Sequence, residues 1–360
     1  MELQIIQNRQ DLHSFLPLWE GFAGEHFPHL CNSPEWQVQA REHYFAKSPF
    51  RVISFFERGR LAGVLPLCRS YSTFVKLPVR KYHFFEQGIG LGDLMLLPEY
   101  LEPGLDLLWQ TFSCVIPRFH ILKITCSGEQ KNRLGALFSE KKTAGYEILE
   151  IRKKALGLAV EAGQDFGQQV LDAKGRREYR RLESHLREAG GFEILQFDPQ
   201  SLRQDFDALW QRFITIYRRS WKHESHRSLS AREAENRFFS DLFRHFAGRN
   251  QLFTSFLRLN GEDAAANWWV NYRGTFFGLQ TVFDDRYKQL SPGIFLIQKD
   301  IEQLMAQGHT RFDFMGSQSY KKKFSNAEGE YFDLYIFNRG WYGKLLQKLS
   351  SHSNFDFRPA

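Results

Sequence analysis

The stretch that decides the fold runs from Thr275 to Gly316 and reads TFFGLQTVFDDRYKQLSPGIFLIQKDIEQLMAQGHTRFDFMG. Its first nine residues, 275–283, are rich in aromatic and β-branched side chains and predict a strand. Ser291-Pro292-Gly293 then predicts the start of a helix over 293–307, because serine suits the cap position and proline suits the first turn. A short strand at 311–314 follows Gly308. The stretch therefore predicts a strand, a helix and a second strand.

The regions on either side extend this pattern into an α/β unit. Strand-like runs at 251–259 and 264–272 are separated by Asn260-Gly261, a turn signal, and Arg273-Gly274 precedes the strand at 275. Helices are predicted over 172–189, from Ser201 onward and over 231–247, and a strand at 331–337 follows. The first 151 residues show the same order of two helices, antiparallel strands, a helix and more strands.

The length also favours two units, since 360 residues exceed what one hydrophobic core usually holds. We place the division in residues 152–166, which show no clear period, and predict domains at 1–155 and 156–360. The second domain carries the candidate site. A chance likeness between common elements is the alternative to a repeated fold.

Composition and charge narrow the class of protein. Hydrophobic residues make up 42% and charged residues 25%, which excludes a disordered, collagenous or coiled-coil chain. No run approaches the length of a membrane span, and the first residues lack the pattern of a secretory signal, so we expect a cytoplasmic protein. The four irregularly spaced cysteines predict reduced thiols and no metal site. A net charge of +7 favours an anionic partner: a nucleotide cofactor, a nucleic acid or a membrane surface.

Several signatures of enzyme classes are absent from the sequence. It has no Walker phosphate loop, no His-Glu-x-x-His helix, no Gly-x-Ser-x-Gly elbow and no dinucleotide-type Gly-x-Gly-x-x-Gly after a strand. The helix start at 291–293 remains a candidate seat for phosphate or carboxylate, since free amides and the helix dipole attract anions. The alternative is that Ser291 and Pro292 only cap the helix.

Polar residues after this helix supply further candidates. Strand alternation points Asp313 away from the flanking Phe312 and Phe314, towards solvent or a polar cleft. Tyr320 is a candidate proton donor, and the lysines at 321–323 are candidates for binding an anionic substrate. A solvated surface loop is the alternative for this cluster.

The helix around 176–187 combines an apolar stripe with several arginines. One interpretation is a helix that packs its stripe on the body and exposes its arginines to solvent. The other is an electrostatic surface for tRNA or another polyanion.

Taken in order, these motifs resemble the GNAT-like acyltransferases, in particular the branch of CelD-like cellulose-biosynthesis proteins related to Fem-type aminoacyltransferases. The resemblance covers most of the chain and rests on short motifs and their spacing. These are Ser33-Pro34-Glu35-Trp36, Gly63-Val64-Leu65-Pro66-Leu67, the basic helix at 176–186, Ser291-Pro292-Gly293, Gly308 with Asp313, and Tyr320-Lys321.

The resemblance implies tandem GNAT-like units with mixed, mainly antiparallel sheets flanked by helices. It implies transfer of an acyl group, with acetyl expected, from acyl-CoA to an amine acceptor in cell-envelope or polysaccharide metabolism. The open alternatives are an aminoacyl-tRNA donor, as in Fem-like relatives, and a non-catalytic binding protein. The usual Gln/Arg-x-x-Gly-x-Gly/Ala loop for the coenzyme A pyrophosphate is missing, and Ser291-Pro292-Gly293 stands at the corresponding junction.

Roles for individual residues follow from the same resemblance, together with the chemistry of amine attack on a thioester. The candidates for binding the donor are Gln280, Val282, Ser291, Pro292 and Gly293. Asp313 or Asp284 is expected to accept the proton of the amine, and Tyr320 or Tyr287 to supply one. Tyr287, Lys321 and Lys323 are expected to contact the substrate.

Overall fold

The computed structural model describes residues 1–74, 77–85, 91–111, 116, 118–139, 146–197, 199–224, 233–350 and 358–359. The chain forms two compact units, and the second is inserted into the first. The first unit contains Met1–Lys153 and Glu330–Ala360, and the second contains Lys154–Gly329. The units thus differ from the predicted domains, because residues 330–360 belong with the first.

The strands that link the units explain this difference. From Tyr331 onward, the strand at Ala327–Phe337 pairs antiparallel with Ile121–Ser127, which ties the C-terminal segment to the first unit. The first eight residues of the region without a clear period, 152–159, belong to a 13-residue strand, Glu147–Ala159. Its charged side chains have distant partners: Arg152 pairs with Glu330, and Lys154 pairs with Glu328. Sequence periodicity does not reveal such pairs.

The first unit is a mixed sheet with helices packed against it. Its strands are β1 (Glu2–Ile6), β2 (Phe50–Glu57), β3 (Arg60–Phe74), β4 (Leu77–Phe84), β5 (Met95–Leu96), β6 (Ile121–Ser127) and β14 (Arg358–Pro359), with parts of β7 (Glu147–Ala159) and β13 (Ala327–Phe337). Its helices are α1 (Arg9–His26), α2 (Pro34–Tyr44), α3 (Leu101–Gln110), α4 (Gly128–Ser139) and α11 (Trp341–Ser350). Ser33 caps α2 as expected, because its hydroxyl accepts a hydrogen bond from the Trp36 amide.

The second unit holds a sheet in the order β7-β12-β11-β10-β9-β8. The strands not yet given are β8 (Phe192–Phe197), β9 (Leu252–Leu259), β10 (Glu262–Tyr272), β11 (Thr275–Phe283) and β12 (Arg311–Asp313). The helices are α5 (Ala173–Glu188), α6 (Pro199–Gln204), α7 (Phe206–Arg218), α8 (Trp221–Glu224), α9 (Glu233–Gly248) and α10 (Pro292–Ala306). The single long helix predicted from Ser201 is wrong, because the chain breaks at Asp205 between α6 and α7.

Two layers of helices bury the faces of this sheet. On one face, α5 and α10 form an apolar cluster with the sheet, and the predicted stripe of Tyr179, Leu182 and Leu186 is buried there. On the other face, the ring of Trp268 is fully buried among aromatic side chains of α7 and α9. The high phenylalanine content is thus used to fill both layers.

Each unit contains one parallel strand pair among antiparallel ones. In the first unit β4 and β6 are parallel, and α3 lies between them in the sequence. In the second, β11 and β12 are parallel, and α10 lies between them. The predicted fold class, mixed and mainly antiparallel sheets flanked by helices in two similarly wired units, is confirmed. No helix in the described part of the chain has the length and apolar character to cross a membrane.

Candidate active site

The parallel strands of the second unit separate soon after they meet. β11 and β12 pair only at Phe276 with Phe312 and at Phe277 with Asp313. β12 then ends, whereas β11 continues to Phe283 and pairs with β10 on its other side. One backbone edge of residues 278–283 therefore borders the space left by the diverging strands, which we call the strand gap.

A β-bulge lies in β11 beside this gap. Trp268 of β10 is opposite Gln280 and Trp269 is opposite Gly278, so Leu279 is the extra residue. A side chain on Gly278 would clash with the Trp269 ring, since its Cβ would lie 2.9 Å from the ring. A bulge of this kind bends the strand and redirects its backbone groups, in this case where the two strands part.

Two lysines donate hydrogen bonds to the backbone on either side of the gap. Lys222, on α8, donates from Nζ to the carbonyl of Thr281 over 2.7 Å. Lys321 donates from Nζ to the carbonyl of Phe314, just beyond β12. The positive charge of Lys222 contributes to lowering the pKa of Lys321. Sequence reasoning missed Lys222, which stands in no motif and reaches the gap only through the packing of α8.

Burial lowers the pKa of both lysines. It lowers the pKa of Lys222 to about 8. Burial, together with the neighbouring charge of Lys222, also lowers the pKa of Lys321 to about 8, and the Asp313 carboxylate opposes this shift. Lysines titrating near neutral pH in a cleft are typical of functional sites, because both proton forms are accessible there.

Asp313 lies at the end of β12, where the strands part. Its Oδ1 accepts a hydrogen bond of 2.6 Å from the amide of Met315. Phe312 and Phe314 are buried while Asp313 is only partly buried, in agreement with the expected alternation. The Asp313 carboxylate partly offsets the lowering of the Lys321 pKa.

Tyr320 and Lys323 stand in the 3₁₀ turn Ser319–Phe324 but differ in environment. Tyr320 is partly buried; burial raises its pKa, and its ring centre lies 5.8 Å from the Lys321 ammonium. Lys323 is exposed and pairs with Glu178 of α5 over 2.5 Å. The structure therefore brings Tyr320 next to Lys321 and engages Lys323 in a surface ion pair.

Asp284 has a structural environment. It is fully buried, and its carboxylate accepts hydrogen bonds from the side chain and amide of Arg286. Burial would raise the pKa of Asp284, but the hydrogen bonds and charge of Arg286, with Arg219, outweigh it and hold the pKa below its ordinary value. A carboxylate stabilised in its charged form is a weak base. Tyr287 is partly buried, with the Arg286 guanidinium 5.4 Å from its ring centre.

The start of α10 lies close to the end of β11. Ser291 occupies the N-cap position in the left-handed conformation, with φ of 49°, but its side chain makes no capping hydrogen bond. A Cβ on Gly293 would lie 3.2 Å from the Phe283 ring, so glycine permits this close approach. Ser291 thus occupies the cap position that the sequence predicts, but its hydroxyl does not cap the helix.

The remaining candidates on β11 differ in exposure. Gln280 is partly buried, whereas Val282 is fully buried and offers only backbone groups. Within the described ranges no cluster of histidine, cysteine and acidic residues is placed to hold a metal ion.

Together these features suit an anionic ligand that also accepts backbone hydrogen bonds. The edge of β11 offers hydrogen-bonding groups, and the start of α10 offers backbone amides for an anion. Lys222 and Lys321 supply positive charge on the two sides of the strand gap.

A comparison with protein families finds one match in this region. Residues 173–323 match the model of the acetyltransferase (GNAT) domain, which spans α5 to the 3₁₀ turn after β12. A search of curated proteins finds no match. Residues 173–323 therefore carry a GNAT acetyltransferase domain, which makes the chain an acyltransferase.

Solved structures with similar folds span both units. A conserved protein of unknown function from Bacteroides thetaiotaomicron aligns with a TM-score of 0.52 and 13% identity, over 93% of this chain and all of the other. L-PGS from Bacillus licheniformis aligns with a TM-score of 0.51 and 12% identity, over 94% of this chain and 97% of the other. At such identities these structures show a shared fold alone.

Proposed function

We propose that the strand gap binds acyl-CoA, with acetyl-CoA as the expected donor, and that the enzyme transfers the acyl group to an amine. The observation that carries this proposal is the divergence of β11 and β12 after two paired residues, with Lys222 and Lys321 bonded to its two sides. We also propose a cytoplasmic location and a place in the CelD-like branch, on the resemblance of the sequence motifs.

The donor supplies an activated thioester carbonyl, and the chain supplies the groups around it. The backbone amides at the bulge near Leu279 and Gln280 are our proposed donors to the carbonyl oxygen. The first amides of α10, after Ser291, are suited to a phosphate group. The charges of Lys222 and Lys321 favour both the phosphates and the negative charge that develops during transfer.

Two side chains are proposed for proton transfer. Asp313 accepts the proton that the amine loses as its nitrogen bonds to the carbonyl carbon. Tyr320, whose phenol is protonated at neutral pH, gives a proton to the thiolate that leaves, and solvent returns one to it while Asp313 releases the proton of the amine. Asp284 is omitted because its arginine partners hold it charged.

The acceptor is proposed to be an amine of cell-envelope or polysaccharide metabolism. Lys321 and Tyr287 remain the proposed contacts to it, as both border the segments around the gap. Lys323 is omitted since it pairs with Glu178 on the surface.

Thermal unfolding in the presence of acetyl-CoA and longer acyl-CoAs tests donor binding. At a hundred times its dissociation constant, a donor stabilises the folded protein by about 2.7 kcal/mol. Lys222→Met should weaken this effect, and Lys344→Met, which removes an exposed lysine of α11, should not. Absence of any shift with all acyl-CoAs would refute the donor assignment, and absence of tRNA binding as well would favour a non-catalytic binding protein.

A second candidate donor, an aminoacyl-tRNA, is favoured by one surface. Arg177, Arg180 and Arg181 are exposed on α5, while the apolar stripe of this helix is buried. Filter binding to tRNA across a salt series tests this surface, since phosphate contacts weaken steeply with salt. Binding that is insensitive to salt, or that survives charge reversal of Arg177 and Arg181, would exclude this candidate.

A further inference from the structure

A second concave site lies at the far end of α10 from the strand gap. It is a cleft of about 550 Å³ between the C-terminal end of α10 and the adjoining ends of β8 to β11. About 16 Å of helix lies between Pro292 and Gln303, the first residue of α10 that lines the cleft. The volume falls in the range of about 300–1,000 Å³ that is usual for small-molecule sites.

Side-chain amides are carried by half of the residues that line this cleft, which we call the amide cleft. They belong to Gln196, Asn250, Gln251, Asn271, Gln303 and Gln307. Each amide offers two donors and an acceptor with two lone pairs. The side-chain oxygen of Gln251 is buried and has no hydrogen-bond partner among the described residues.

Aromatic rings supply the apolar part of the wall. Phe197, Phe253 and Phe276 line the cleft, and the ring of His309 lies 4.6 Å from that of Phe276. Burial lowers the pKa of His309, so this ring is neutral at physiological pH. Among the lining residues that the structure describes, none carries a charged side chain.

These properties select the chemical class of the ligand. Without a charged side chain the wall offers no ion pair to a phosphate or carboxylate. Amides that both donate and accept match hydroxyl groups, which also do both. Aromatic rings suit the apolar C–H faces of a sugar, since the face of an aromatic ring carries partial negative charge. We propose that the amide cleft binds a neutral sugar residue of an oligosaccharide.

A smaller cavity extends the cleft. It measures about 230 Å³, shares Gln196 and Gln303 with the amide cleft, and is also lined by Lys299 and Glu302. These two charged groups neutralise each other in an ion pair of 3.0 Å. Since the two cavities share Gln196 and Gln303, a longer saccharide that reaches both should bind more tightly than a single sugar.

Saturation-transfer NMR and calorimetry with maltotriose, chitotriose, glucose and glucose 6-phosphate test the proposal. At least one trisaccharide should bind more tightly than glucose, and glucose more tightly than its phosphate. Gln303→Ala with Gln307→Ala should weaken trisaccharide binding about tenfold, which corresponds to about one lost hydrogen bond. Circular dichroism checks that this double variant is folded, and the single Gln307→Ala variant, at an exposed position, provides a milder test.

The control is Gln211→Ala, an exposed glutamine of α7 outside the cleft, which should bind as the unchanged protein does. The proposal is overturned if neither trisaccharide binds at the highest soluble concentration, if the phosphate binds better than glucose, or if the double variant binds normally. Acyl-CoA binding is measured on the same variants. It should be unchanged, so failure at this cleft is distinguishable from failure at the strand gap.

Discussion

Replacing Lys321 with methionine should change how stability depends on pH. The pKa of Lys321 is about 8 in the folded protein, against an ordinary value of 10.5. Between these values the unfolded chain binds more protons than the folded one, so the free energy of unfolding rises with pH. Across the whole interval between the two pKa values, the free energy of unfolding should rise by about 3 kcal/mol. About 2 kcal/mol of this rise falls between pH 7 and pH 9.5.

Lys321→Met keeps a side chain of similar length at a position that is only 9% exposed, and removes the titrating group. Its stability should therefore lack this rise, while the loss of the hydrogen bond to Phe314 lowers stability at every pH. Urea unfolding followed by tryptophan fluorescence, repeated across this pH range, measures the difference.

The matched control is Lys322→Met, which removes the exposed neighbouring lysine from the same turn. It should leave the pH dependence as it is in the unchanged protein. Equal pH slopes for Lys321→Met and the unchanged protein would refute the reasoning, because they would mean that folding does not displace a proton from this amine.

Three further outcomes are expected. Asp313→Asn should lower kcat by about 10²–10⁴ with little change in donor affinity, measured by steady-state acyl transfer, since it removes the proposed base. Asp284→Ala should lower the free energy of unfolding by about 0.5–1.5 kcal/mol, measured in urea, because it removes the carboxylate that accepts hydrogen bonds from the amide and the side chain of Arg286. In the unchanged protein the pKa of Asp284 lies below its ordinary value. The stability that Asp284 contributes should therefore fade as pH falls through the folded-state pKa. Gly293→Ala should weaken donor binding, measured by calorimetry, because its Cβ would lie 3.2 Å from the Phe283 ring and displace the helix start.

The fold of the second unit could largely be predicted from the sequence. The runs that became β9, β10 and β11 are bounded by turn residues, and Asn260 and Arg273 adopt the positive φ that such turns require. The predicted helix at 293–307 corresponds to α10 because its apolar residues repeat at helical spacing. Local pattern and tertiary packing agree in these elements.

Features that depend on distant partners could not be predicted. β7 carries charges that are neutralised by residues more than 170 positions away, so it shows no clear period. The same limit applies to the site. Asp313, Tyr320 and Lys321 are close in sequence and were found together, whereas Lys222 comes from α8 and enters the site only through folding. The structural environments of Asp284 and Lys323 depend on arginines and a glutamate that no local motif indicates.

The insertion of one unit within the other has a consequence for biosynthesis. During translation, β6 emerges long before its neighbour β13, because the whole of residues 154–329 is made in between. Until Tyr331–Phe337 leaves the ribosome, the nascent chain exposes an unpaired strand edge, which is a site for aggregation. Fragments that end near residue 329 should therefore be poorly soluble, while the inserted segment, whose strands lie together in the chain, is free to fold first.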